Sequence, residues 1–194
     1  MIDVHILLMG DERSDLLEQC LNSLKYEPIT LHKCDGVPGD IRTARANAIS
    51  QGTNDYVGWV DPDDFIIPGA YQLLLDNIGD KKFAWCNEEV WHMTPDLSAV
   101  TATHIRKRPH HMHIIHRSLI NYNLIRNEVP RRTPDRWVEM LTKQGVHVNS
   151  VGYVWREYST SASRILFAPD DEQWHEQRRK HFLQQNTSIN KTTN

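Results

Sequence analysis

The chain has 194 residues, 39% hydrophobic and 24% charged, with a formal net charge of −3. That is ordinary globular usage, which excludes a disordered, fibrous or disulfide-stapled protein and predicts one domain with a real core. Three cysteines, Cys20, Cys34 and Cys86, stand at no metal-ligand spacing and suit a reducing compartment. No apolar run approaches the roughly 20 residues of a membrane span. The first residues also lack the basic flank of a signal peptide, so a soluble, cytoplasmic protein is expected.

Residues 2–9 form an apolar run that predicts a buried strand, ended by Gly10 and Asp11. Ser14 is a candidate N-cap for a helix in which Leu16, Leu17, Cys20, Leu21 and Leu24 share a face. Residues 29–33 predict a second strand, followed by Cys34, Asp35 and Gly36. A loop with Pro38 and Gly39 leads to Asp40, a candidate cap for a helix with Ile41, Ala44, Ala48 and Ile49 on one side and Gly52 just past its end. Residues 55–60 predict a third strand, stopped by Asp61, Pro62, Asp63 and Asp64. Pro68 opens a helix whose Tyr71, Leu74, Leu75 and Ile78 align.

This alternation of strand and helix predicts parallel pairing with helices on both faces of the sheet. The second half is less regular. Residues 83–90, 111–116 and 146–155 predict strands, and Thr133 and Pro134 start a helix that runs to Gly145. From Ala168 the acids come first and the bases later, as on a surface helix, and residues 185–194 are polar.

The charge is uneven. Between His104 and Arg136 eight Lys or Arg meet two acids, so that segment is +6 and the remainder −9, which points to an anionic partner on one face.

Asp61-Pro62-Asp63-Asp64 carries the sharpest chemistry. A strand ending in three carboxylates concentrates negative charge where open α/β sheets bind ligands. On extended backbone Asp61 and Asp63 point to one side, and Mg2+ or Mn2+ would relieve their repulsion. The alternative is an Asp-Pro-Asp turn that caps a helix. In His110-His111-Met112-His113-Ile114-Ile115-His116 a strand puts His111 and His113 on one face and His110 and His116 on the other, which splits a zinc ligand set. Trp59 and Trp85 are expected in the core.

The ordered set of motifs resembles a known family. Residues 6–13 with Leu17, Leu21, Ser23 and Leu24, then Cys34-Asp35-Gly36, Arg45-Ala46-Asn47-Ala48 with Gly52, and residues 56–64 with Pro68 resemble the nucleotide-binding half of a GT-A fold glycosyltransferase of the inverting family-two type. Thr133-Pro134-Asp135, residues 154–158 and Ser161-Ala162-Ser163 are similar to that family's later segments. Cys34, Pro134 and Tyr158 depart from its pattern, the last standing where many relatives carry a metal-reaching His.

The resemblance implies a single compact α/β domain with a Rossmann-like mixed sheet and helices on both faces. It spans residues 1–165, with a nucleotide-sugar half at 1–80 and an acceptor half at 81–165; residues 166–194 form a C-terminal helix and polar tail. It implies a hexosyl- or pentosyltransferase that uses a nucleotide-diphosphate sugar, with Mn2+ or Mg2+, to glycosylate an acceptor hydroxyl with inversion. Asp35, Arg45 and Asp61 would bind the nucleotide sugar, Asp63 the metal, and Asp135 would be the general base. Arg45 is equally readable as a surface cation, and Asp135 as part of a capped first turn. Arg106, Lys107, Arg108 and Arg132 are candidate phosphate or acceptor contacts, or a solvated loop. The acceptor is either a hydroxymethylated base in phage-type DNA, which the basic segment suits, or a saccharide or glycoconjugate. The alternatives are a non-catalytic nucleotide-sugar-binding module on the same fold and a nucleotidyltransferase.

Overall fold

The computed structural model describes residues 1–37, 40–128 and 136–158. Five elements alternate at the start: β1 (Ile2–Leu8), α1 (Ser14–Leu24), β2 (Ile29–Asp35), α2 (Ile41–Ile49) and β3 (Tyr56–Trp59). Then come β4 (Phe65–Ile66), α3 (Ala70–Ile78), β5 (Phe83–Met93), β6 (Val100–Arg106), β7 (His113–His116), α4 (Arg136–Glu139) and β8 (Gly145–Glu157). β1 pairs parallel with both β2 and β3, as the alternation predicts. The sheet runs β2-β1-β3-β7-β5-β8-β4, with β6 paired to β5. β7 is antiparallel to β3 and β5, so the sheet is mixed. Residues 1–158 form one compact unit, and the sheet continues through the expected midpoint at residue 80.

β1 is buried on both faces, and the alternation of its side chains separates two layers. Ile2, Val4 and Ile6 join Cys20 and Leu24 of α1, Tyr71, Leu74 and Ile78 of α3, and Ala84 and Cys86 of β5. The opposite face packs Val57, Trp59, Phe83 and Trp85 against Ala46 and Ile49 of α2 and Trp137 and Val138 of α4. Helices therefore cover both faces, and Trp59 and Trp85 are core residues. All three cysteines are buried free thiols, and burial pushes Cys86 up to about 12.

Several local expectations are corrected. Arg13, not Ser14, is the N-cap of α1, and no side chain bonds there. α3 begins at Ala70 behind Gly69, whose φ of +85° is open to glycine without strain, so Pro68 precedes the helix instead of opening it. The helix expected to run to Gly145 is the four-residue α4 and a separate 3-10 turn, Thr142–Gln144. Asp40 does cap α2, accepting from the Thr43 N–H at 3.2 Å. β6 was not legible in the sequence. Its residues are mostly exposed, so it lacks the apolar alternation that marks a half-buried strand. The loop at Pro38 and Gly39, the start at Thr133 and Pro134, Ser161–Ser163 and the 166–194 tail lie outside the described residues.

Alternation also turns Asp3 inward at the start of β1, where it is 1% exposed. Its carboxylate accepts from Arg117 Nη2 at 2.6 Å, Asn54 N–H and Nδ2 at 2.8 Å each, and pairs with His32 Nε2 at 2.9 Å. Arg117 also donates to the carbonyls of Ile49, Gln51 and Asn54. Gly52, at φ +80°, is required here: a Cβ would sit 2.3 Å from the Asp3 carboxylate. Burial opposes the Asp3 charge, but the bonds from His32, Arg117 and Asn54 outweigh it and hold the pKa at about 2.

A depressed carboxylate pKa contributes stability above its unfolded value, about 3.9, and that contribution is lost as pH falls toward the folded value. Arg117→Met is expected to cost about 3 kcal/mol at pH 7 in urea unfolding. It should also shrink the part of the stability lost between about pH 4 and pH 2. Wild-type stability at pH 7 in the variant would refute this role for Arg117.

Candidate functional site

The carboxyl ends of the parallel strands meet at one edge. Leu8 lies opposite Asp35, and the Val60 N–H reaches the His5 carbonyl at 3.1 Å, which carries the chain after β3 to that edge. Asp35 is exposed there. Beyond Val60 the chain turns: the Asp64 N–H donates to the Asp61 carbonyl at 3.1 Å across Pro62 and Asp63. The extended geometry expected for Asp61 and Asp63 is therefore corrected. Pro62 presets the turn, and the three carboxylates take three different environments.

Asp64 faces inward and is 1% exposed. It accepts from the Tyr153 hydroxyl at 2.8 Å and from the Arg156 N–H at 2.7 Å, locking the turn to β8. Burial and the neighbouring Asp63 push its carboxyl well above the usual range. Asp63 is half-buried. Its carboxylate accepts from the Tyr158 hydroxyl at 2.6 Å, and its carbonyl from Arg156 Nη1 at 2.5 Å. Burial and the charge of Asp61 raise its pKa. Tyr158 thus stands at the carboxylate where the sequence placed a departure from the family pattern.

Asp61 is held from both sides. Oδ1 lies 3.2 Å from Arg45 Nη2 and Oδ2 lies 3.3 Å from His111 Nε2. Burial disfavours its charge, but His111 and Arg45 outweigh that and keep the carboxyl well below the usual range. Arg45 is no surface cation. It is 2% exposed, and its guanidinium lies over the Trp59 ring at 4.6 Å.

The sequence reading missed His111 and Glu88 as site residues. His111 stacks on Tyr153 and also faces Glu88, with Nδ1 3.5 Å from Oε2. Glu88 is fully buried on β5, and its Oε1 accepts from the backbone N–H groups of His111 and Met112. Burial would discharge His111, but Glu88 and Asp61 raise its pKa to about 10. Burial and the His111 charge lower His110 to about 3. His113 packs edge-on to Trp59, on the opposite side of the sheet from the His111–Tyr153 stack. The expected shared face for His111 and His113 is therefore corrected: β7 begins only at His113, and His111 precedes it in a bend pinned by Glu88. A glutamate inside the apolar run at 83–90 was the available signal.

Two groupings among the described residues could hold a metal, Glu88–His110–His111 and Asp61–Asp64–His111. Of the expected acceptor contacts, the Arg106 guanidinium lies 5.2 Å over Trp155, Arg108 pairs with Glu139 at 3.1 Å, and the Lys107 carbonyl accepts from Trp85 Nε1. Arg117, of the same basic segment, serves Asp3 at the far end of β1. Asp135 and Arg132 lie outside the described residues.

No family model matches the chain, and no curated protein matches its sequence. Solved structures of Staphylococcus aureus TarS, a glycosyltransferase, do match. TarS 1–349 superposes with a TM-score of 0.54 at 12% identity, over 80% of this chain and 60% of that one. The longer TarS structure gives 0.54 and 12% over 81% of this chain and 37% of that one. TarS 1–349 in complex with UDP gives 0.51 and 12% over 81% and 61%. The likeness is one of fold: a mixed α/β sheet with helices on both faces, shared with these TarS structures. This chain spans about three-fifths of the TarS 1–349 structures. Among the described residues no helix is long and apolar enough to cross a membrane.

The separate environments of the aspartates give a direct test. Asp64→Ala orphans the Tyr153 hydroxyl and the Arg156 N–H and should cost at least about 2 kcal/mol in urea unfolding. Asp63→Asn should change stability by no more than about 0.5 kcal/mol. The reverse order would overturn the division between a structural and a ligand-facing carboxylate.

Proposed function

We propose that the chain is a metal-dependent glycosyltransferase that moves a hexosyl or pentosyl group from a nucleotide-diphosphate sugar to an acceptor hydroxyl with inversion. The observation that carries this reading is the strand-end turn on a glycosyltransferase-class fold, which sets half-buried Asp63 beside an Asp61 already fixed by Arg45 and His111. The TarS structure in complex with UDP supports a nucleotide-linked donor.

Each residue then has a task. Exposed Asp35 at the end of β2 accepts hydrogen bonds from the base or ribose. Asp61, 33% exposed, presents its outer edge to the ribose. Arg45 acts on the donor through Asp61, because its guanidinium is buried against Trp59. Asp63 would hold Mg2+ or Mn2+. The fit is to a hard cation that takes one protein carboxylate and completes its shell with water and substrate phosphates. The Tyr158 hydroxyl orients that carboxylate. The metal would supply Lewis-acid stabilisation of the departing diphosphate. Asp135 takes the acceptor proton as the acceptor oxygen bonds to the anomeric carbon and the bond from that carbon to the diphosphate breaks. Its position in sequence supports this: Trp137, two residues on, packs against Trp59, two residues before Asp61.

The acceptor follows from the basic segment. The pairing of Arg117 with Asp3 and of Arg108 with Glu139 removes part of the charge that suited DNA. A saccharide or glycoconjugate hydroxyl is the acceptor we favour, with the loop of Arg106, Lys107 and Arg108 beside it.

Calorimetric titration of UDP and GDP with and without Mn2+, together with hydrolysis of UDP- and GDP-sugars, tests the proposal. One nucleoside diphosphate should bind in a metal-dependent way, with slow release of nucleotide from its sugar. Asp35→Ala should weaken binding by about 1–3 kcal/mol, and Asp63→Asn should abolish the metal dependence. Metal-dependent binding without any turnover would mark a binding module, and full Mn2+ dependence in folded Asp63→Asn would remove Asp63 from the metal.

A further inference from the structure

β5 is longer than any one partner on its inner edge. Phe83–Trp85 pair with β7, and Glu88–Met93 pair with β6. Between the two, residues 110–112 bend over β5, and Glu88 fills the gap. Its Oε1 is pinned by the His111 and Met112 N–H groups, which aims Oε2 between two imidazoles. Oε2 is fully buried and accepts no hydrogen bond. It lies 3.5 Å from His110 Nδ1 and 3.5 Å from His111 Nδ1, and the two Nδ1 atoms are 2.8 Å apart.

We propose that Glu88 Oε2, His110 Nδ1 and His111 Nδ1 form a three-ligand site for a zinc-type divalent cation, separate from the metal at Asp63. The three donors form a triangle close to one face of a tetrahedron, whose edge is about 3.3 Å for zinc–nitrogen and zinc–oxygen bonds of about 2.0–2.1 Å. Two imidazoles and one carboxylate suit zinc, whereas Asp63 and its hydroxyl partner suit a hard oxygen-seeking cation.

The surroundings select the tautomer this requires. His111 donates through Nε2 to Asp61 Oδ2, so the proton that a cation would displace is the one at Nδ1. A carboxylate behind a metal-bound histidine orients the ring and raises its basicity, and Asp61 stands in that place. The ring of His110 is 19% exposed, which gives the cation an entry path and leaves a fourth position for water. Zinc would take the place of the proton shared by the two Nδ1 atoms. It would also tie the 110–112 bend to β5 where the strand changes partner.

The test uses untagged, metal-stripped full chain and zinc ions alone. Calorimetry should show one saturable equivalent of Zn2+, and Co2+ should give the visible absorption of a tetrahedral centre. His110→Ala, at the least buried ligand, should weaken Zn2+ binding by at least about 100-fold with an unchanged circular dichroism spectrum. Glu88→Gln keeps the oxygen that accepts from the backbone and should lose the tetrahedral Co2+ signal. Asp63→Asn should retain the zinc site. His92→Ala should retain it too, although His92 and His104 lie 3.1 Å apart on the surface. Absence of saturable Zn2+ binding in the wild type would overturn the proposal, as would retention in folded His110→Ala or loss in Asp63→Asn or His92→Ala. None of these readouts depends on sugar transfer, so the zinc site and the proposed enzymatic activity fail or stand separately.

Discussion

The functional edge depends on keeping Asp61 ionised beside two other carboxylates. Like charges at one strand end repel, and partial burial sharpens the repulsion because the surrounding dielectric is low. The chain answers with two cations on opposite sides, Arg45 from α2 and His111 from the bend before β7. His111 is itself balanced by buried Glu88. Charges alternate from Arg45 through Asp61 and His111 to Glu88, across four segments distant in sequence. Trp59 and Tyr153 hold the two cations in place through their ring faces. A buried pair of this kind contributes modestly to stability, but loss of one member leaves an uncompensated charge.

The same problem is solved differently for the other aspartates. Asp64 is drawn inward and satisfied by Tyr153 and the Arg156 backbone, so it joins the turn to β8. Asp63 meets a hydroxyl, which leaves it the carboxylate best placed for an incoming cation. At the opposite end of β1, Asp3 is buried among His32, Asn54 and Arg117. The sheet is thus fastened at each end by a carboxylate. The segment that looked like an anion-binding patch supplies a fastening residue at both, Arg117 at Asp3 and His111 at Asp61.

Much of the fold was legible in the sequence because its signals are local. Apolar runs and helical spacing marked the first strands and helices, and the Asp40 cap needed only Thr43 nearby. The burial of Arg45 was legible in principle: it lies four residues from both Ile41 and Ile49, on the apolar row of α2. Pro62 marks a turn, and period two does not carry across it because the backbone from Asp61 to Asp64 is not extended. The partnership of His111 with Glu88 spans 23 residues and crosses from a bend to a strand. No periodicity encodes it, because it arises only when β5 changes partner from β7 to β6. β6 escaped for a related reason: its exposed residues carry no alternation, and backbone pairing with β5 alone defines it.

A double-mutant cycle on Arg45 and Asp61, read by urea unfolding at neutral pH, tests most directly whether this charge chain organises the edge. Arg45→Met and Asp61→Asn should each cost about 3 kcal/mol. The double variant should cost less than the sum by about 2 kcal/mol, because removing both charges leaves none stranded. Additivity within about 0.5 kcal/mol would contradict it and reduce the contact to a coincidence of packing.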